Sequence, residues 1–324
     1  MKITILGGGG FLGRKIADHL ARTGALGGCA IRELTLFDIH APAPLDAPFN
    51  VTCIGGDIAE LPQAAIPPET DVIFHLAAVV SAAAEADYEL GRRVNLRGND
   101  ALIDACRKLA KPPRVVFTSS VASFSGGQDA MLADDARQMP GNSYGAQKAA
   151  AELILSDASR RGFIDVVNIR LPTICIRPGA PNKAASSFVS SVVREPLLGL
   201  TTTLPVPESF KVWIASPAFA TAWLLHAAAM DTSLLGTDRG LNPPGLCASV
   251  GDMLDAMERA MPGARALVQA APDAVIANIV GTWPAAFAAT RAPGLGFVRH
   301  TDLDALIAEF LANDLEPTRM MRGL

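Results

Sequence analysis

Residues 4–20 read TILGGGGFLGRKIADHL, an apolar strand run, then four consecutive glycines, then helical spacing of apolar positions. That order constrains the fold more than any other stretch of the chain. Gly7, Gly10 and Gly13 recur every third residue, which lets the backbone turn tightly and approach a ligand closely. The amino end of the following helix, at Phe11 and Leu12, favours a pyrophosphate. Four glycines in a row match many templates, and a flexible turn is the alternative. Their place directly after the first strand argues for the phosphate loop.

Strand-like runs follow at 33–37 (ELTLF), 51–54 (VTCI), 71–78 (DVIFHLAA), 114–120 (RVVFTSS) and 165–171 (DVVNIRL). Helix-like stretches lie among them at 11–24, 88–110 and 143–162, with another at 216–230. Continuous apolar strands alternating with helices imply a parallel sheet covered on both faces. The expected fold is α/β, a Rossmann-type doubly wound parallel sheet with a smaller, interleaved α/β cap domain. Pro/Gly-rich breaks at RPGAPNK and TLPVPES mark the change of pattern after Arg177. The expected division is 1–176 with 215–246 for the nucleotide domain, and 177–214 with 247–324 for the cap.

Half of the 324 residues are hydrophobic and the net charge is −4, so neither disorder nor a nucleic-acid or anionic-membrane partner is expected. The five cysteines and five histidines are dispersed, which predicts free thiols in a reducing compartment and no metal site. No apolar run approaches the ~20 residues of a membrane span, and the chain enters a strand at Lys2 without a signal-peptide pattern. A cytoplasmic protein is expected.

Asp38 ends the second strand, where a carboxylate accepts hydrogen bonds from ribose hydroxyls and repels a 2′-phosphate. It therefore selects NAD over NADP, unless it is an ordinary surface aspartate. Its distance from Gly13 is about five residues longer than the usual ~20, with GALGGC (24–29) as the inserted loop. Asp57, beside Ile58 after the third strand, is placed to meet an adenine amino group or is simply a solvated loop residue. Leu76, Ala77 and Ala78 end the fourth strand in small or apolar residues, leaving room for a cofactor or packing a core. His75 reads as a packed structural histidine.

Tyr144 is one of two tyrosines, and Lys148 follows it at i+4, on the same face of a helix. An ammonium there favours the phenolate and brings a tyrosine toward the pKa of a working base. Ser120 ends the fifth strand at the sheet edge where open parallel sheets bind ligands. Ser119 is the adjacent alternative. Hydroxyl, phenol and ammonium would converge on one reacting oxygen.

Together GGGGFLG, HLAA, VNLRGN, TSSVASFS and YGAQK resemble the extended short-chain dehydrogenase/reductases, which include nucleotide-sugar epimerases and dehydratases. The resemblance spans most of the chain. It implies NAD bound across Gly7, Gly10, Gly13, Asp38, Asp57 and Ala77, with Ser120, Tyr144 and Lys148 as the catalytic set. It further implies that Asn95 supports the Lys148 environment and that backbone near Pro172 and Thr173 meets the carboxamide.

The sequence departs from the sugar-nucleotide members after the sixth strand, where it reads RLPTICIRPGAPNKAASSF, and at KVWIASPAFA. The former stretch resembles family members that oxidise the 2-hydroxyl of a four-carbon sugar acid with NAD. A small anionic sugar acid needs cations and polar groups; Asn182, Lys183 and Arg194 of the cap, with Ser81 at the sheet edge, are the candidates. Each could equally be a solvated side chain. An epimerase or dehydratase that keeps its NAD, and a non-catalytic NAD sensor, are the competing readings. A homodimer through the 88–110 and 143–162 helices is allowed but not required.

Overall fold

The computed structural model describes residues 1–181, 185–299 and 302–324. Its chain divides into two compact units, the first formed by 1–123, 143–170 and 221–241. The strands of this unit's sheet are β1 (Lys2–Leu6), β2 (Glu33–Asp38), β3 (Asn50–Gly55), β4 (Val72–His75), β5 (Arg114–Ser120), β6 (Asp165–Leu171) and β7 (Gly240–Leu241). They form a parallel seven-stranded sheet in the order β7-β6-β5-β4-β1-β2-β3. Each strand predicted from an apolar run is present, and the short edge strand β7 is an addition. The DVIFHLAA run stops pairing at His75, and the next five residues, 76–80, form the loop that follows the strand.

The helices of this unit include α1 (Phe11–Thr23), α2 (Gly98–Cys106), α3 (Ser143–Arg160) and α4 (Pro217–Ala229). The predicted 88–110 helix is broken: Tyr88–Arg92 is α-helical, Arg93–Arg97 is a π turn, and α2 follows. Strand residues Leu6, Phe37, Ile73, Val115 and Phe117 pack with Leu102 and Cys106 of α2 and Ala151 and Leu155 of α3. Burial on both sides of the strands explains their near-continuous apolar composition. The chain goes outward from β1 to β2 and β3, then returns to place β4 on the other side of β1. This reversal opens a crevice at the carboxyl ends of β1 and β4, the usual ligand position in such sheets. The GALGGC insertion is a small hairpin, Ala25–Leu26 against Cys29–Ala30.

The second unit comprises 124–142, 171–220 and 242–324. Its core joins Val189, Val192 and Leu197 to Met253, Leu254 and Met257, and to Leu306, Ile307 and Phe310. A three-stranded sheet lies in it, with Lys211–Ala215 between Thr173–Ile174 and Leu246–Ser249. The division differs from the sequence expectation chiefly at 124–142. Met131–Ala133 pairs with Ala286–Ala288, Gln128 and Lys211 exchange hydrogen bonds of 3.1 and 2.6 Å, and Asp134 accepts from the amides of Thr290 and Arg291. All these partners are distant in sequence, so local pattern cannot reveal them.

Candidate active site

The glycine loop owes its shape to contacts that a side chain would forbid. Gly7 has a φ of +91°, and a Cβ there would lie 2.8 Å from the Ala77 nitrogen. A Cβ on Gly13 would lie 2.2 Å from the Gly7 carbonyl oxygen, so α1 closes directly onto the turn. Leu76 and Ala77 donate their amides to the Leu6 oxygen at 2.8 and 2.9 Å, which holds the backbone after β4 against the end of β1. Gly10 caps α1 with no side-chain hydrogen bond, and a helix amino end of this kind suits an anion.

At the end of β2 the Asp38 carboxylate accepts from the Gly9 amide at 2.9 Å and the Ile39 amide at 2.8 Å. These bonds fix the carboxylate beside the loop and leave lone pairs for two hydroxyls. Asp57 is more occupied: one oxygen caps Ala59 at 2.8 Å and the other pairs with Arg93. Ile58 is buried against Gly98. The tight glycine turn, the helix amino end behind it and the anchored acid fit a dinucleotide with a free ribose 2′-hydroxyl.

Tyr144 lies in the first turn of α3 and is half-buried, while Lys148 is 2% exposed. The ammonium donates to the Thr118 carbonyl at 2.7 Å, and sits 4.6 Å from the Phe117 ring centre and 5.7 Å from that of Tyr144. Burial pushes the Lys148 amine down to about 7, against the opposing pull of Glu152. The alternation of β5 separates the two serines. Ser119 is buried and donates to Glu152, whereas half-buried Ser120 accepts from the Ala122 amide at 3.1 Å. The structure therefore brings Ser120, Tyr144 and Lys148 to one end of the sheet and gives Ser119 a different task.

Asn95 is buried in the π turn, accepts from the Val79 amide, and donates to the Val79 carbonyl and to Gln147. It ties the loop after β4 to the residue preceding Lys148 rather than to Lys148 itself. Its backbone oxygen accepts from Asn99, whose own oxygen meets His75 Nε2 at 3.1 Å. Because the Asn99 amide must face a carbonyl, the imidazole carries its proton on Nε2. Burial holds His75 neutral, with a pKa of about 3.

The substrate candidates fare differently. Ser81 begins a short helix and is 4% exposed. Asn182 and Lys183 lie outside the described residues. In the second unit, Pro172 and Thr173 follow β6, and Thr173 pairs with Ile214. Arg194 needs correction as a carboxylate clamp. It is 1% exposed, and its guanidinium donates to Glu195, the Arg177 carbonyl and Ser191 at 2.9, 2.9 and 3.2 Å. Those bonds make it an internal ion pair of its helix.

Glu152, Arg170, Gln147 and Asn99 support the site, and no motif in the sequence assigns them that role. Two carried a signal: Glu152 repeats the i+4 step beyond Lys148, and Arg170 interrupts an otherwise apolar strand.

Residues 3–213 match the model of the NAD dependent epimerase/dehydratase family. The chain is 44% identical over 318 residues to a D-erythronate dehydrogenase of Cupriavidus necator, covering 96% of this chain and 98% of that protein. It is 39% identical over 324 residues to a D-erythronate dehydrogenase of Haemophilus influenzae, covering 97% of this chain and 100% of that protein. A crystal structure described as a nucleoside-diphosphate-sugar epimerase from Agrobacterium tumefaciens superposes with a TM-score of 0.92 at 42% identity, over 98% of this chain and 95% of that one.

Proposed function

The chain belongs to the NAD dependent epimerase/dehydratase family and is an NAD-dependent oxidoreductase, and from that premise we propose that it oxidises the C2 hydroxyl of a small sugar acid, D-erythronate, to the 2-oxo acid. The observation that carries this reading is the buried Lys148 one turn from half-buried Tyr144, at the sheet edge where Ser120 ends β5. Two full-length relatives named for D-erythronate support the substrate.

NAD supplies the acceptor for the hydride that leaves C2. The Gly7–Gly13 loop and the amino end of α1 would hold its pyrophosphate, and Asp38 its adenosine ribose. Tyr144, as phenolate, takes the C2 hydroxyl proton. The Lys148 ammonium stabilises that phenolate, acting more strongly in a buried site than in water. Ser120 donates a hydrogen bond to the same oxygen as carbonyl character develops, so charge is met where it forms. Atoms balance as one hydride to the cofactor and one proton to Tyr144, released afterwards to solvent.

The epimerase-named structure at 42% identity favours a second reading, in which a sugar nucleotide is turned over with no net oxidation. Purified protein with NAD⁺ and D-erythronate, L-threonate, D-glycerate or UDP-sugars separates the two. A rise in NADH absorbance with a sugar acid supports the first. Silence across the acids, with NAD released only on denaturation and a UDP-sugar converted, replaces it with the second.

A further inference from the structure

Beneath the Tyr144–Lys148 pair lies a second, fully internal set of charges. Glu152 stands four residues beyond Lys148 on α3 and is 3% exposed. On β6, Arg170 donates from Nε to both of its oxygens at 3.2 and 3.0 Å, and from Nη2 at 2.9 Å. The Ser119 hydroxyl of β5 donates to it as well. Room for the guanidinium comes from β7: a Cβ on Gly240 would lie 2.4 Å from Arg170 Nη2. Three strands and a helix thus fix one carboxylate.

We propose that Glu152 is a positioning residue for the chemistry above: its clamped carboxylate keeps the Lys148 ammonium charged beside Tyr144. The inference rests on the reading of Tyr144 as base. A buried ammonium bonded only to a neutral carbonyl sheds its proton, because a low-dielectric interior penalises the charged form. The groups facing Lys148 are few. From β5 come the Thr118 carbonyl and the Phe117 ring, neither carrying a charge. From β4 comes His75, which is neutral. On α3 itself stand Tyr144 and Glu152, and Glu152 is the anion that opposes the effect of burial on Lys148. Arg170 and Ser119 hold that anion in place and supply its hydrogen bonds, so its own burial is tolerated.

The test is the pH dependence of kcat/KM for NADH formation from D-erythronate, with an NMR titration of the Lys148 side chain, assigned by its loss in Lys148→Met. The titration needs neither substrate nor cofactor. In Glu152→Gln the alkaline limb and the Lys148 titration both move to lower pH, by about one unit. Glu152→Asp, which keeps the charge, brings both back toward wild type. Should Glu152→Gln fail to fold with Arg170 unpaired, the double variant Glu152→Gln, Arg170→Gln removes the pair as a unit; limb and titration then move in the same direction but by less, because no unpaired guanidinium is left to repel the Lys148 ammonium. Loss of stability with an unmoved limb and titration overturns the proposal and leaves Glu152 structural. Turnover surviving in Tyr144→Phe overturns the reading of the base, and this inference with it. An inactive Tyr144→Phe beside an unmoved Glu152→Gln titration overturns the inference alone.

Discussion

The Lys148 ammonium donates to the Thr118 carbonyl oxygen at 2.7 Å, two residues before Ser120, so one strand both anchors the cation and ends in the hydroxyl. The distance from Lys148 to the sheet edge is thereby set by backbone rather than by a flexible side-chain contact. Substitutions at the two ends of this relationship separate chemistry from support.

Tyr144→Phe keeps the ring beside Lys148 and removes only the oxygen proposed as the acid–base group. Turnover should fall by about 10²–10⁴-fold, while the NAD dissociation constant stays within about twofold. Steady-state kinetics and calorimetric NAD titration check the pair; parallel loss of both would argue that Tyr144 serves binding.

The neighbouring serines should part company. Ser120→Ala removes the proposed donor to the reacting oxygen and should lower kcat by about 10–100-fold with little change in melting temperature. Ser119→Ala leaves Glu152 short of a buried hydrogen bond and should cost about 1 kcal/mol in urea unfolding. If the larger loss of kcat falls on Ser119, the assignment is reversed.

Asp38→Ala takes away a carboxylate held against the Gly9 amide at 2.9 Å. Loss of charge-assisted bonds to the ribose should raise KM for NAD about tenfold or more, and the NADP-to-NAD ratio of kcat/KM should rise as the repulsion disappears. An unchanged ratio would show that Asp38 does not face the ribose.

Gly13→Ala puts a methyl group 2.2 Å from the Gly7 oxygen. Either α1 or the loop must move, at a cost of about 2 kcal/mol, and NAD affinity should fall with it. Chemical denaturation and NAD titration read the two effects. Full retention of both would mean that the loop relaxes freely.

His75 titrates at about 3 in the folded chain, depressed from its ordinary 6.5 by burial first and by Lys148 second. The unfolded chain therefore binds a proton between these values that the folded chain refuses, and stability is lost as pH falls through that window. Wild type should weaken from pH 6.5 toward 3, and His75→Gln should weaken less. Equal acid sensitivity of the two proteins would show that another group dominates.

Much of this site is legible in sequence because its parts are local. The turn from β1 to α1 needs small residues at fixed intervals, and Tyr144 and Lys148 share a helix face by spacing alone. The GALGGC insertion could be placed by counting, since it separates two recognisable elements. Arg194 shows the opposite case. A cation in the last turn of a cap helix could suit an anionic substrate, yet its direction depends on which neighbours can accept from it. Glu195 is adjacent in sequence, but the Arg177 carbonyl is set by the fold of the loop. Residues 124–142 carry no sign in their own composition that they pair with 282–291.

By itself the sequence determined the alternating α/β pattern, the glycine turn from β1 to α1, the acid at the end of β2 and the tyrosine–lysine spacing. Each depends on a backbone geometry that short-range periodicity imposes. Tertiary structure alone decided that Ser120, not Ser119, is available at the sheet edge, that Arg194 is spent internally, and that Arg170 meets Glu152 under Lys148. Those outcomes turn on where side chains from distant segments find buried partners. Burial makes an unpaired charge expensive, and only the folded chain brings together the groups that pair it.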